Sequence, residues 1–184
     1  MLNNIILASK SKVRKDILEK NNIACEVKPS NVDEDMVKES LLNEKASPEI
    51  ISKSLAELKA NKVSSNYHEK IVLGADSVID LDGELISKPQ DRKEALLILK
   101  KLNARAHHLI SSVCISKNGS MIWNYTDKEL ENYLAKIPDS ALYAYNVYQI
   151  EGEGRKLFSD IVGDEDTIMG LPIKKIKEYL KEIK

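Results

Sequence analysis

The sequence of 184 residues is poor in cysteine and has no long apolar run. Cys25 and Cys114 are its two cysteines, and their separation matches no metal-binding or redox spacing. We therefore expect two reduced, partly buried thiols. No apolar stretch approaches the length of a membrane span, and the N-terminus lacks the basic start of a signal peptide. These absences predict a cytoplasmic protein without a membrane partner.

The sequence also lacks an excess of charge of one sign, because 28 Lys and Arg residues nearly balance 29 Asp and Glu residues. Non-specific binding of nucleic acid needs a basic face, so this balance argues against a nucleic-acid partner. It follows that any anionic ligand has to be held by a few local cations.

Several common enzyme signatures are absent from the sequence: the Walker A motif, the dinucleotide-binding fingerprint and the Gly-x-Ser-x-Gly nucleophile elbow. His107 and His108 have no nearby partner at a metal-ligand spacing, so a metal site there is not favoured. No repeat, low-complexity tract or linker interrupts the chain. We expect a single domain over residues 1–184, built as one or two lobes.

What the sequence does contain is an apolar strand with a carboxylate inside it. Residues 71–73 lead through Gly74 to Asp76, and the apolar run resumes at residues 78–79. A charge inside a buried strand is costly unless it is compensated, and Gly74 leaves room for a backbone or a ligand. Two interpretations stay open. Asp76 caps a turn where the strand ends at a bulge, or it binds a metal or activates water in a cleft.

A second feature is a strand at residues 4–7 that runs directly into a helix. Ser9 or Ser11 is the predicted N-cap of that helix. A helix N-terminus aims free N–H groups at one point, and Arg14 in the first turn can reach the same point, which is typical of an anion site. The alternative is an ordinary capped helix with a solvated Arg14.

Strands and helices alternate along the rest of the chain, which indicates an α/β or α+β class. Further strands are predicted at 23–28, 84–87, 109–116, 121–125, 144–150 and 157–162. Helices are predicted to begin at Ser47-Pro48, Asp91, Thr126 and Gly170, and acidic loops at 31–35 and 163–166.

Two helices have predicted inner faces. In the helix after Ser47-Pro48, this face comprises Ile51, Leu55 and Leu58. Lys59 lies one step past it, beside small alanines that allow close packing. In the last helix the inner stripe is Ile173, Ile176, Leu180 and Ile183.

Four segments stand in a characteristic order and spacing. They are residues 7–14 (Leu-Ala-Ser-Lys-Ser-Lys-Val-Arg), 73–77 (Leu-Gly-Ala-Asp-Ser), 87–89 (Ser-Lys-Pro) with 94–95, and 163–164 (Gly-Asp) with 170–172 (Gly-Leu-Pro). Weaker similarities lie at residues 32–34, 55–60 and 102–111. With these segments the chain resembles the Maf family of nucleoside triphosphate pyrophosphatases over nearly its whole length.

The resemblance implies an α/β fold in which a two-lobed mixed sheet with flanking helices surrounds a central nucleotide cleft. It implies hydrolysis of a nucleoside triphosphate to the monophosphate and pyrophosphate, with Mg²⁺ or Mn²⁺ as cofactor, and a possible homodimer. It assigns Asp76 as the catalytic proton acceptor, and Glu34 and Asp76 as metal ligands. The substrate-binding residues that it assigns are Ser9, Ser11, Arg14, Lys59, Ser77, Lys88 and Glu151.

Among the departures from the family pattern, Val13 replaces an Arg, Ala144 a Lys, and Glu151 the Gln that reads the base. An ionised Glu only accepts hydrogen bonds, so we expect base choice to move away from thymidine or uridine. Alternatively, Gln149 on the same strand face reads the base. The departures also keep open a second hypothesis, a catalytically weakened nucleotide-binding protein that acts through a partner.

Overall fold

The computed structural model describes residues 2–87, 89, 91–133 and 158–183. Lys88, Ala144, Gln149 and Glu151 lie outside the described residues, as does the strand predicted at 144–150. In chain order the described elements are β1 Leu2–Leu7, α1 Lys12–Lys20, β2 Ile23–Val27, α2 Glu34–Asn43, α3 Pro48–Ser64, β3 Val72–Leu81, β4 Glu84–Ile86, α4 Arg92–Leu102, β5 Ala106–Lys117, β6 Ser120–Tyr133, β7 Phe158–Val162, α5 Glu165–Ile168 and α6 Ile173–Glu182.

The strands form one mixed sheet in the order β2-β1-β3-β5-β6-β7, with β4 beside β3. β1 runs parallel to β2 and β3, while the other described pairs are antiparallel. One edge of β3 pairs with β1 as far as Leu73 and with β4 from Ile79 onward. Among the described residues no strand covers that edge between these two points. The mixed α/β class predicted from the sequence is confirmed.

The main core lies on the face of the sheet that α1 and α6 cover. Apolar positions of both helices and of the four strands β1, β2, β3 and β5 meet there, and each buried Ile or Leu contributes about 1.5–3 kcal/mol. The members include Ile5, Leu7, Ile17, Leu18, Leu73, Val113, Ile115, Ile173, Ile176 and Leu180.

On the opposite face, α3 lies directly against β3 because Gly74 has no side chain. A Cβ at Gly74 would stand 2.2 Å from the Ala56 carbonyl oxygen and 2.7 Å from the Ala60 backbone nitrogen. The close approach predicted at Gly74 is therefore made by a helix backbone. The alternative of a strand ending at a bulge is wrong, since β3 continues unbroken from Val72 to Leu81.

The prediction that a helix begins at Thr126 is wrong. β6 continues as a strand to Tyr133 and pairs with β5 along its length. The Thr126 hydroxyl lies 3.0 Å from the Ser112 hydroxyl on β5 instead of capping a helix. The local capping pattern is overridden because β5 pairs with one edge of this segment throughout and β7 pairs with its other edge from Leu130 onward.

Each of the two segments predicted as acidic loops contains the start of a helix. Asp33 is the N-cap of α2 and accepts a hydrogen bond from the Met36 backbone N–H at 3.1 Å. Asp164 caps α5 in the same way. An Asp at an N-cap satisfies N–H groups that the helix leaves unbonded. Glu34 consequently lies in the first turn of a helix, where its position is fixed.

Two predicted inner-face residues are exposed. Leu58 is 43% exposed and Ile183 is 41% exposed, whereas Lys59 is buried at 5%. The buried face of α3 is rotated by about one residue because Ala56 and Ala60 are the positions that contact β3 at Gly74.

The two cysteines are unpaired, as predicted. Cys114 is fully buried, more than the sequence predicted, and burial raises the pKa of its thiol to about 11. Burial also raises the pKa of Cys25, which is only partly buried. None of the described helices combines the length and apolar character that crossing a membrane requires.

Candidate active site

A cavity of about 230 Å³ opens where β1 and β2 end while β3 continues. The loops after β1 and β2, the first turn of α2, the middle of α3 and β3 all contribute to its wall. The structure brings together here all the predicted site residues that it describes: Ser9, Ser11, Arg14, Glu34, Lys59, Asp76 and Ser77. The other two predicted site residues, Lys88 and Glu151, lie outside the described part of the chain.

Sequence reasoning missed the wall formed by the loop after β2. Pro29, Ser30 and Asn31 line the cavity, and Asn31 has a positive φ of 49°. The signal in the sequence was Pro29-Ser30-Asn31 itself, a cluster of turn-forming residues between a strand and an acidic segment.

The loop after β1 is closed by its two serines. Ser9 Oγ accepts from the Ser11 backbone N–H at 3.2 Å, and Ser11 Oγ accepts from the Arg14 backbone N–H at 3.3 Å. Ser11 is thus the N-cap of α1, and the first turn of that helix contains no acidic residue. The N-terminus of α1 therefore meets the cavity as a positive dipole end, which favours an anion.

Opposite this loop, Lys59 joins two carboxylates. Its Nζ lies 2.7 Å from Asp76 Oδ1 and 2.9 Å from Glu34 Oε1. Lys59 and Asp76 are buried, at 5% and 6% exposure, while the Glu34 side chain is 43% exposed. The charge inside β3 is compensated in this way, which makes its burial tolerable.

The second carboxylate oxygen of Asp76, Oδ2, is buried and has no hydrogen-bond partner among the residues that the structure describes. The backbone carbonyl of Asp76 accepts a hydrogen bond from the Ser52 hydroxyl at 3.2 Å. Asp76 is therefore held by two residues of α3, Ser52 and Lys59. A buried carboxylate oxygen left unbonded in this way is costly, and such atoms mark functional sites.

The cavity also suits a hard divalent cation. Mg²⁺ is commonly bound through one or two carboxylates, with substrate phosphates and water completing its shell. Asp76 and Glu34 supply two such carboxylates within reach of one Lys59 nitrogen. Among the described residues no cluster of three or more His, Cys, Asp or Glu has a metal-binding arrangement. The donor set therefore fits a metal that arrives with a phosphate ligand.

Arg14 closes the gap in the sheet edge between β1 and β4. The carbonyls of Ile71 and Leu73 accept hydrogen bonds from β1, and the next carbonyl in that row belongs to Ala75. Arg14 Nη1 donates to the Ala75 carbonyl at 2.9 Å. The guanidinium thus donates the hydrogen bond to β3 that a backbone N–H would donate if β1 continued.

The remaining donors of Arg14 connect β3 with the segment between α5 and α6. Arg14 Nε donates to the Gly170 carbonyl at 3.0 Å, and Nη2 donates to Ser77 Oγ at 3.0 Å. Nη1 also reaches Ser9 Oγ at 3.4 Å. Desolvation lowers the pKa of Arg14, and the negative charges of Asp76 and Glu34 oppose this shift.

Gly170 provides the space for this arrangement. Its φ is 96°, and a Cβ there would lie 2.8 Å from Ser77 Oγ and 3.2 Å from Arg14 Nη2. Ser77 Oγ also lies 3.2 Å from Ser111 Oγ, which donates to the Thr167 carbonyl at 2.8 Å. A chain of hydrogen bonds therefore runs from α5 to the wall of the cavity.

We predict that Arg14→Lys destabilises the fold almost as much as Arg14→Ala, by about 2 kcal/mol in the free energy of unfolding. Lys keeps the charge but cannot donate in four directions from a planar group. Urea denaturation measures this, with Lys15→Gln as the control, since Lys15 on the same helix forms an exposed ion pair with Glu19. Wild-type stability in Arg14→Lys would show that only the charge matters.

Fold and cavity together define an α/β protein with an anion-binding helix N-terminus facing a lysine-bridged carboxylate pair. The chain belongs to the Maf-like protein family, whose model matches residues 4–183. It is 71% identical to the nucleoside triphosphate pyrophosphatase of Pelagibacter ubique over 195 aligned positions, covering 100% of both chains. It is 33% identical to the 7-methyl-GTP pyrophosphatase of Rhizobium meliloti, covering 97% of this chain and 96% of that one.

Among solved structures, a HAM1 protein from Coxiella burnetii is similar in fold, with a TM-score of 0.58 and 13% sequence identity. The match covers 99% of this chain and 100% of that chain. At this identity the likeness concerns the fold alone.

Proposed function

We propose that this protein hydrolyses a nucleoside triphosphate to the monophosphate and pyrophosphate. The observation that carries the proposal is one cavity lined both by the N-terminus of α1 and by the Asp76–Lys59–Glu34 cluster. The names of the relatives support the same activity. The triphosphate carries about four negative charges, and Arg14, Lys59 and the α1 dipole are among the positive groups around this cavity.

In this proposal the loop of Ser9 and Ser11 binds a phosphate at the N-terminus of α1. Asp76 orients a water molecule and accepts its proton as the water attacks the α-phosphorus, since Oδ2 has no hydrogen-bond partner in the described part of the chain. Pyrophosphate is the leaving group. Lys88, outside the described residues, is proposed as a further phosphate-binding cation.

We also propose that the reaction needs Mg²⁺ or Mn²⁺, with Glu34 and Asp76 as the protein ligands. When bound, the metal would supply positive charge that stabilises the charge developing on the phosphate oxygens. The two unpaired cysteines fit a reducing cytoplasm, and the family match over nearly all residues supports a single domain at 1–184.

A pyrophosphate-release assay with a panel of nucleotides, with and without Mg²⁺ or Mn²⁺, tests this function. We expect metal-dependent release of pyrophosphate from at least one nucleotide. Binding of nucleotide without turnover under every condition would refute the proposal. It would favour instead the catalytically weakened nucleotide-binding protein that the Val13, Ala144 and Glu151 departures suggested.

We propose that the preferred base is a guanine type, read by Glu151. An ionised carboxylate accepts from two adjacent donors, which guanine offers at N1 and N2, and it repels the carbonyl oxygens of uracil. The relative named as a 7-methyl-GTP pyrophosphatase supports this choice. 7-Methylguanine keeps both donors and adds a positive charge, which strengthens a hydrogen bond to a carboxylate.

We predict that Glu151→Gln raises the turnover of UTP or dTTP relative to GTP and 7-methyl-GTP, because the amide can donate to a carbonyl as well as accept. The measurement is kcat/KM for each nucleotide. The control is Gln149→Ala, which is expected to leave the ranking unchanged. A ranking that changes in Gln149→Ala and not in Glu151→Gln would assign base reading to Gln149.

A further inference from the structure

The residues proposed to bind the metal are already bound to a cation in this structure. Lys59 Nζ lies within 3 Å of a carboxylate oxygen of both Asp76 and Glu34, at 2.7 and 2.9 Å. The same Lys59 is the residue that the family resemblance assigns to the triphosphate. All three groups of the cluster are therefore engaged with one another, so a metal at either carboxylate would stand close to the ammonium of Lys59.

We propose that Lys59 occupies the place of the divalent cation and is exchanged for it. The metal and the ammonium compete for the carboxylates of Asp76 and Glu34, and the displaced ammonium then turns to a phosphate group. The competition between Lys59 and the metal does not depend on a nucleotide. The choice of phosphate as the new partner of Lys59 rests on the proposed function.

The contacts and burial indicate that Lys59 and the metal compete for the carboxylates rather than bind them together. An ammonium and a divalent cation repel each other strongly at such short range, especially beside a buried group. Lys59 Nζ contacts Asp76 through Oδ1, while the buried Oδ2 bonds to none of the described residues and can accept the metal in the place of Lys59. The lysine stem is flexible and its ammonium is a point charge, so Nζ can move without displacing α3.

The exchange has a consequence for the order of binding. A metal that arrives alone has to displace the ammonium of Lys59, a residue that is only 5% exposed, and it brings no anion to receive that ammonium. A metal that arrives with a triphosphate brings the anion that the released ammonium needs. Lys59 therefore keeps the carboxylate pair assembled before substrate binds and makes the site selective for the metal–nucleotide complex.

The test is binding of Mn²⁺ without nucleotide, followed by electron paramagnetic resonance, in wild type and Lys59→Met. The variant removes the competing ammonium and leaves both carboxylates. We expect its dissociation constant for Mn²⁺ to fall on the order of tenfold. Lys53→Met is the matched control, because Lys53 is exposed on the same helix and its replacement removes the same charge. It should change the dissociation constant by less than about twofold.

A dissociation constant that is unchanged or higher in Lys59→Met would overturn the exchange. If Lys59→Met folds poorly, Lys59→Gln serves, since its amide keeps a hydrogen bond to Asp76 without the charge, and the same decrease is expected. Thermal denaturation provides a second readout, in which Mn²⁺ should raise the Tm of the Lys59 variants more than that of wild type. Pyrophosphate release by wild type tests the proposed function separately. If wild type releases pyrophosphate but the Lys59 variants bind Mn²⁺ no more tightly than wild type, the exchange is refuted and the proposed function is not.

Discussion

Asp76→Asn is expected to lower kcat by about 10²–10⁴-fold while the protein remains folded, the range found for loss of general base catalysis. The amide has nearly the shape of the carboxylate and can keep the contact with Ser52 through the unchanged backbone carbonyl. It cannot accept a proton from water, and it presents only one acceptor oxygen. The measurement is pyrophosphate release, with circular dichroism to confirm the fold.

Asp80→Asn is the matched control for this change. Asp80 lies on the same face of β3, is 7% exposed, and bonds to Lys128 Nζ at 2.8 Å and to the Gly83 N–H at 2.7 Å. It does not line the cavity. The variant should lose stability and keep its turnover per folded molecule. Similar turnover in folded Asp76→Asn and Asp80→Asn would remove Asp76 from its catalytic role.

Asp80 also adds a pH dependence to this control. Burial raises the pKa of Asp80, but the bonds from Lys128 and Gly83 outweigh it and hold the pKa below the ordinary carboxyl value. A lowered pKa in the folded state means that Asp80 stabilises the protein above that ordinary value and loses its contribution as the pH falls through the lowered one. In Asp80→Asn, stability should therefore fall less steeply on acidification than in wild type.

Gly74→Ala is expected to destabilise the protein by about 3 kcal/mol, at the upper end of the cost of overpacking. The added Cβ would stand 2.2 Å from the Ala56 carbonyl oxygen, which is backbone and cannot rotate away. α3 has to move off β3, and Lys59 moves with it. We therefore expect turnover to fall as well. Urea denaturation and pyrophosphate release measure the two effects.

Gly83→Asn is the control for Gly74→Ala. Gly83 has a φ of 88° and nothing within 4 Å of an added Cβ, and Asn tolerates this conformation better than other residues do. Its cost should be about 1 kcal/mol or less. A Gly74→Ala variant as stable as wild type would contradict the close packing of α3 on β3.

The features that the sequence made predictable are those that depend on neighbours in the chain. The helix starts at Ser47 and Asp91 need only local residues, and the structure has both of these N-caps. The strand from Thr126 to Tyr133 was missed because its capping-box spacing is local, while its pairing with β5 is not. A ladder of long-range hydrogen bonds overrides a preference worth about 1 kcal/mol.

The same distinction holds for the cavity. Asp76 was predictable because a carboxylate inside an apolar strand needs compensation, whereas Lys59 was assigned to the site by the family resemblance. The partners were not predictable. That Lys59 bridges Asp76 to Glu34, and that Arg14 uses its donors on Ala75, Ser77 and Gly170, depends on where α1, α2 and α3 meet β3.

The most direct test of the central claim is hydrolysis in water enriched in ¹⁸O, with mass analysis of both products. If Asp76 delivers water to the α-phosphorus, the label appears in the nucleoside monophosphate, the pyrophosphate is unlabelled, and Asp76→Asn gives neither product at the wild-type rate. Label in the pyrophosphate, or release of inorganic phosphate with a nucleoside diphosphate, would contradict the proposed reaction at this cavity.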